Sequence, residues 1–196
     1  MDYCENFYGH GKSHFEERGC GYTAYEIAHQ PAMWRELTSV LADNKEAIVN
    51  FMTPLMAKKP RIITTGAGSS GFVGRAVAGF SGKMCEGIHT TDIVSSPDIY
   101  LFSDVPTLLI SFARSGNSPE SVGAVEYARA IVSDLYEVAI VCDGSSKLAT
   151  AAKEAAGGKG LVLVMPEGTN DNGFAMTSSV STMMLAGYAL LNWKRN

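Results

Sequence analysis

The sequence predicts an α/β domain in three layers: a five-stranded parallel sheet with helices on both faces. Three observations carry this. Short apolar runs at 61–65, 85–91, 107–112, 137–142 and 161–165 alternate with stretches of helical periodicity. Continuous apolar strands are what a parallel sheet, covered on both faces, requires. Small polar loops fall at 66–71, 90–96, 111–118, 143–146 and 166–173, the carboxyl ends of those runs, where ligands gather in open parallel sheets. Finally, 196 residues with 46% apolar and 18% charged side chains suffice for one well-buried domain and argue against disorder.

The elements follow in order. Residues 1–22 show no periodicity and read as an amino-terminal arm, with the domain proper spanning 23–196. Thr23 and Glu26 match a T-x-x-E capping box for a short helix over 24–29, broken by Pro31. Trp34, Leu37, Val40, Leu41, Ile48, Phe51, Met52 and Leu55 then form a helical stripe, interrupted at Asp43-Asn44. The β-branched run 61–65 is a buried strand, followed by a loop and a helix over 72–80. A second strand covers 85–91. Residues 101–105 lead through Pro106 into the third, 107–112. Ser118 as N-cap and Pro119 in the first turn open a helix over 119–133. Strand 137–142, a capping loop with Asp143 and Ser146, helix 147–156, a glycine turn, strand 161–165 and a long helix 174–193 complete the chain.

Composition narrows the function classes. A net charge of −4 without a basic cluster gives nucleic-acid binding no electrostatic support. The longest apolar stretch, 180–191, is too short for a membrane span. The first residues lack the apolar segment of a secretion signal, so the expected location is the reducing cytoplasm. Cys4, Cys20, Cys85 and Cys142 match no zinc spacing, and Cys85 and Cys142 read as buried small hydrophobes. His10 and His14 read as a chance pair. No metal or cofactor is expected.

Two loops carry the chemistry. Residues 111–121 read S-F-A-R-S-G-N-S-P-E-S between a strand and a helix. Hydroxyls on Ser115, Ser118 and Ser121, the backbone at Gly116 and a helix N-terminus together suit an anion, best a phosphate monoester. Alone, such a turn more often merely caps a helix. A second loop, G-A-G-S-S-G at 66–71, changes that balance. It also matches the dinucleotide spacing through Gly66, Gly68 and Gly71, the competing nucleotide-binding reading. Against that reading, no acidic residue ends the second strand before Asp92, and a dinucleotide fold needs no second serine loop.

The two loops together resemble the sugar isomerase (SIS) domain, a flavodoxin-like sheet that binds phosphosugars. E-I-A-H-Q-P at 26–31, followed by Trp34, is similar to the segment opening double-SIS enzymes such as glucosamine-6-phosphate synthase. T-T-D-I-V at 90–94 and the stretch 170–184 resemble galactosamine-6-phosphate deaminase/isomerases, also called tagatose-6-phosphate ketose/aldose isomerases. The resemblance spans about 22–191. It implies that Ser70, beside Gly68 and Ser69, holds a phosphate from the first loop. Arg114, Ser115 and Ser118 with the N–H groups of Gly116 and Asn117 would hold it from the second. Arg114 stands where Gln or Ser is commoner, and either strengthens the site or faces outward. Met176 and Thr177 fall where the family approaches the sugar.

One departure matters. Such enzymes carry two SIS domains, and this chain matches the first, whereas the catalytic Glu and His belong to the second. The helix expected at 72–80 has no carboxylate. Aldose–ketose isomerisation needs a positioned base, and Glu120, Asp92 and His89 are the weak candidates left. Glu120 reads first as a carboxylate favourable to its helix dipole. The expectation is the phosphosugar-binding first half of an isomerase or deaminase, forming a homodimer or larger oligomer. The alternative is a non-catalytic sugar-phosphate sensing module.

Overall fold

The computed structural model describes residues 7–82 and 84–195; Cys4 and the rest of 1–6 lie outside them. A short helix α1 (Lys12–Glu16) precedes two longer ones, α2 (Gly21–Asp43) and α3 (Lys45–Ala57). Strand β1 (Arg61–Gly66) leads to α4 (Ser69–Phe80), then β2 (Glu86–Gly87), α5 (Thr90–Ser95) and α6 (Pro97–Tyr100). There follow β3 (Thr107–Ala113), α7 (Pro119–Ile131), β4 (Leu135–Val141), α8 (Lys147–Lys153), β5 (Gly160–Val164) and α9 (Ser178–Leu191).

Among the described residues the strands form one parallel sheet in the order β2-β1-β3-β4-β5. The apolar runs explain the arrangement. All of β3 and most of β1 and β4 are buried, so their side chains need cover on both faces. On one face Ile62, Leu108, Ile110 and Phe112 pack with Phe51, Leu55, Val73, Val77 and Met183 from α3, α4 and α9. On the other, Ile63, Leu109 and Ala139 pack with Ile93, Ala124, Val125 and Ala149 from α5, α7 and α8. Each fully buried aliphatic side chain contributes about 1.5–3 kcal/mol. From β1 the chain winds first to β2 on one side and then to β3 on the other, so the strand order switches between β1 and β3, where ligands gather at the strand carboxyl ends of such sheets.

Several expectations are corrected. Helix α2 runs through Pro31 without a break. The carbonyl of Ile27, which Pro31 cannot serve, instead accepts the Gln30 side-chain amide at 3.2 Å. The capping box does not form, because the helix begins at Gly21 and Glu26 is buried against a distant loop. The second strand is only Glu86–Gly87. Ile88 N–H still reaches the Thr64 carbonyl at 2.9 Å, but the chain then turns into α5, so the loop expected at 90–96 is largely helical. Helix α4 begins at Ser69, three residues early, whereas α9 begins four residues late, where the Asp171 carboxylate receives its first N–H groups. Cys85 and Cys142 are buried as expected; burial pushes the Cys142 thiol up to about 11, so it stays neutral. Among the described residues no helix is long and apolar enough to cross a membrane.

Candidate functional site

The register places the two serine loops side by side. Thr65 pairs with Ser111 and Gly66 with Phe112, so β1 and β3 release their chains at the same level, on either side of the switch point. Adjacent strands lie about 4.8 Å apart, and one anion can be reached from both loops.

The first loop is tight. A Cβ on Gly66 would lie 2.5 Å from the Ser70 backbone carbon, and Gly68 adopts a positive φ of 52° as it caps α4. Ser70 is buried at the first turn, with its hydroxyl 3.9 Å from the Met176 sulfur, while Ser69 is exposed. The Gly71 position, third in the dinucleotide spacing, is taken up by a neighbouring ring: a Cβ there would meet His89 Nδ1 at 2.2 Å.

The second loop is braced from behind. Gly116 has φ +62°, and a Cβ would strike Ser146 Oγ at 2.5 Å. Its carbonyl accepts Leu148 N–H at 3.1 Å, and Asn117 Oδ1 accepts Lys147 N–H at 3.0 Å. The Asn117 side chain therefore holds the start of α8, leaving its backbone N–H as the group available for a ligand. Ser118 sits at the N-cap of α7, yet its hydroxyl donates to Ser121 Oγ at 2.7 Å in place of an N–H cap. Ser115 is exposed. Exposed and weakly committed hydroxyls beside the N-terminus of α7, and the buried one of Ser70 at α4, are the donors an anion would recruit.

Arg114 does not face outward. Half-buried, it donates from Nη1 to the carbonyls of Asp171 at 3.3 Å and Gly173 at 3.0 Å. Thr177 donates its N–H to Asp171 Oδ2 at 2.8 Å and its hydroxyl to Oδ1 at 3.3 Å. Asp171 also receives Ser179 N–H at 3.0 Å and Ser179 Oγ at 2.5 Å, and the Ser178 hydroxyl. Burial pushes the Asp171 carboxyl up, but the donors from Ser178, Ser179 and Thr177 outweigh it and hold it below the usual carboxylate range.

The candidate bases come from three different places, and His89 packs against Gly71 of the first loop. His89 precedes α5, half-buried and edge-on to Phe72 at 5.3 Å. Asp92 is exposed on α5, and Glu120 is half-exposed in the first turn of α7. None makes a side-chain hydrogen bond to either serine loop among the described residues, and no group of three or more metal-ligating side chains gathers there. Two residues that hold the 171–179 segment beside Arg114 are not marked by local sequence: Glu26 passes as a helix cap, and no motif singles out Asp171.

The SIS domain family model matches residues 55–193. D-galactosamine-6-phosphate deaminase AgaS of Shewanella sp. (strain ANA-3) is 44% identical over 176 residues, covering 86% of this chain and 45% of the relative. AgaS of Escherichia coli is 45% identical over 175 residues, covering 86% and 45%. The crystal structure of tagatose-6-phosphate ketose/aldose isomerase from Escherichia coli superposes with a TM-score of 0.80 at 43% identity, over 87% of this chain and 47% of that one. The chain thus spans about half the length of the curated relatives it matches.

Proposed function

Because this chain belongs to the SIS domain family, we propose that it holds the phosphate of a sugar phosphate between the first turn of α4 and the 114–118 loop. The observation that carries the reading is the pairing of two serine loops across the β1–β3 switch point, each opening a helix. Gly68, Ser69 and Ser70 face the anion from one side; Ser115, Ser118 and the N–H groups of Gly116 and Asn117 face it from the other. Donors without full cationic charge suit a phosphate monoester that must also leave. Arg114 adds positive charge at the loop's base, and Thr177 lies on the segment nearest the sugar.

The relatives' names supply the substrate class: an amino sugar 6-phosphate or a ketose 6-phosphate. The reaction class is aldose–ketose isomerisation, in which a base takes the proton from C2 of the opened aldose and returns it to C1 through an enediol, or deamination, in which the same transfer on a 2-amino sugar runs through an enolamine to a C2 imine that water hydrolyses to ketose and ammonia. Such a base is worth about 10²–10⁴-fold in rate. Helix α4 carries no carboxylate, so the chain alone binds the sugar and turns it over slowly. A base from a second domain or a facing subunit, in a cytoplasmic assembly, completes the site. His89 packs against Gly71 and Phe72, and among the described residues no side-chain hydrogen bond joins His89, Asp92 or Glu120 to either serine loop, which favours this over catalysis within the chain and keeps a sensing module as the second reading.

Calorimetry with galactosamine 6-phosphate and tagatose 6-phosphate, beside an assay of ketose and ammonia, tests the proposal. Binding with little turnover is expected. Absence of binding would remove the phosphosugar reading, and brisk turnover abolished by replacing Glu120, Asp92 or His89 would place the base within this chain.

A further inference from the structure

We propose that Glu26, on α2 and far from the serine loops in sequence, is a positioning residue for the phosphate site, a role that rests on the phosphosugar reading above. Glu26 is 3% exposed, and its Oε1 accepts the N–H of Asn172 at 2.6 Å and of Gly173 at 2.9 Å. Arg114 takes the opposite end: its Nη1 donates to the carbonyls of Asp171 and Gly173. The carbonyl of Asp171 and the N–H of Asn172 belong to one peptide unit and point in opposite directions across a trans bond. A carboxylate therefore grips the positive end of that peptide dipole and a guanidinium grips the negative end, which fixes its rotation.

The approach is built for contact. A Cβ on Gly173 would lie 2.7 Å from Glu26 Oε2 and 3.0 Å from Thr23 Oγ1, so a side chain there would push the carboxylate off the backbone it holds. Among the described residues, Glu26 Oε2 is buried without a hydrogen-bond partner. A buried carboxylate left half-satisfied is costly, and an apolar residue would fill the same space more cheaply if packing were the only demand. What the carboxylate supplies is orientation of the 171–173 backbone.

That orientation reaches both serine loops. Arg114 immediately precedes Ser115, so the clamp ties the 171–173 segment to the second loop. Asp171 fixes Thr177 and the start of α9, and Met176, immediately before Thr177, lies 3.9 Å from the Ser70 hydroxyl of the first loop. Glu26 thus sets the separation of the two halves of the phosphate site through a segment it touches only by backbone.

The test measures the affinity of galactosamine 6-phosphate for wild type, Glu26→Leu, Glu26→Asp and Glu26→Gln, each well below its own melting temperature, with amide shifts of Asn172, Gly173 and Ser115. Asp keeps the charge but shortens the reach by one methylene, and Gln keeps the reach and an acceptor oxygen. Affinity is expected to fall about tenfold in Leu and Asp and to stay within about threefold in Gln. The Ser115 amide is expected to move with those of 172 and 173. Should Glu26→Leu fail to fold, the Asp and Gln pair decides. Wild-type affinity in folded Glu26→Asp, with Ser115 unmoved, would overturn the positioning role while leaving the phosphosugar reading intact. Absence of binding by wild type would overturn both.

Discussion

Gly116 shows how a single residue holds the candidate site open. Its φ of +62° and the Ser146 hydroxyl 2.5 Å from where a Cβ would stand leave no room for a side chain. Gly116→Ala is expected to lose about 1–3 kcal/mol of stability and to weaken phosphosugar binding, because the N–H groups that follow it move with the loop. A thermal melt and a binding isotherm on the same sample check this; an unchanged melt would mean that the loop relaxes freely. Ser70, Ser115, Gly116 and Ser118 were legible in the sequence because small residues at a strand end and a helix start are local signals. The contacts of Arg114, itself a sequence candidate, and of Glu26 were not. The partners of Arg114 lie 57 and 59 positions away and those of Glu26 lie 146 and 147 away, and no local pattern announces them.

Among the elements, the start of α9 depends most on one ionised group. Asp171 accepts N–H and hydroxyl groups from Thr177, Ser178 and Ser179, which hold its carboxyl below the ordinary range. A depressed folded value means that this stabilisation is complete above the unfolded pKa of about 3.9 and is lost as pH falls through the folded one. Wild type is therefore expected to melt several degrees above Asp171→Asn near neutral pH, with the gap closing below about pH 4. A gap constant from pH 7 to pH 3 would contradict the charge-based account. A second link, in which Trp34 Nε1 donates to Ser181 Oγ at 3.0 Å and Ser181 donates to Gln30 Oε1 at 2.6 Å, joins α2 to α9. Strand positions were readable from their apolar runs, since burial on both faces leaves a plain signature. The second strand was misread because Ile88, His89 and Thr90 suit a strand locally, while a helix follows at once. Pro31 was misread because a neighbouring glutamine amide replaces the missing donor.

Across the whole molecule, sheet order and switch point release two sequence-distant loops at the same level, side by side. Exposed Phe72, Trp34, Phe174, Leu185 and Tyr188 lie on α2, α4, α9 and the loop before α9. Apolar surface of this kind favours association, and sedimentation at micromolar concentration is expected to show a dimer or larger; a monomer of 20.9 kDa at high concentration would count against it. The proposed site places a phosphate between the two serine loops. The direct measurement is an amide-shift titration of the intact chain with galactosamine 6-phosphate, repeated with inorganic phosphate and with Ser118→Ala. The account predicts that both ligands shift Ser70, Ser115, Gly116, Asn117 and Ser118, and that Ser118→Ala weakens both about tenfold. Shifts confined to other parts of the chain, with residues 115–118 unmoved at saturation, would contradict it.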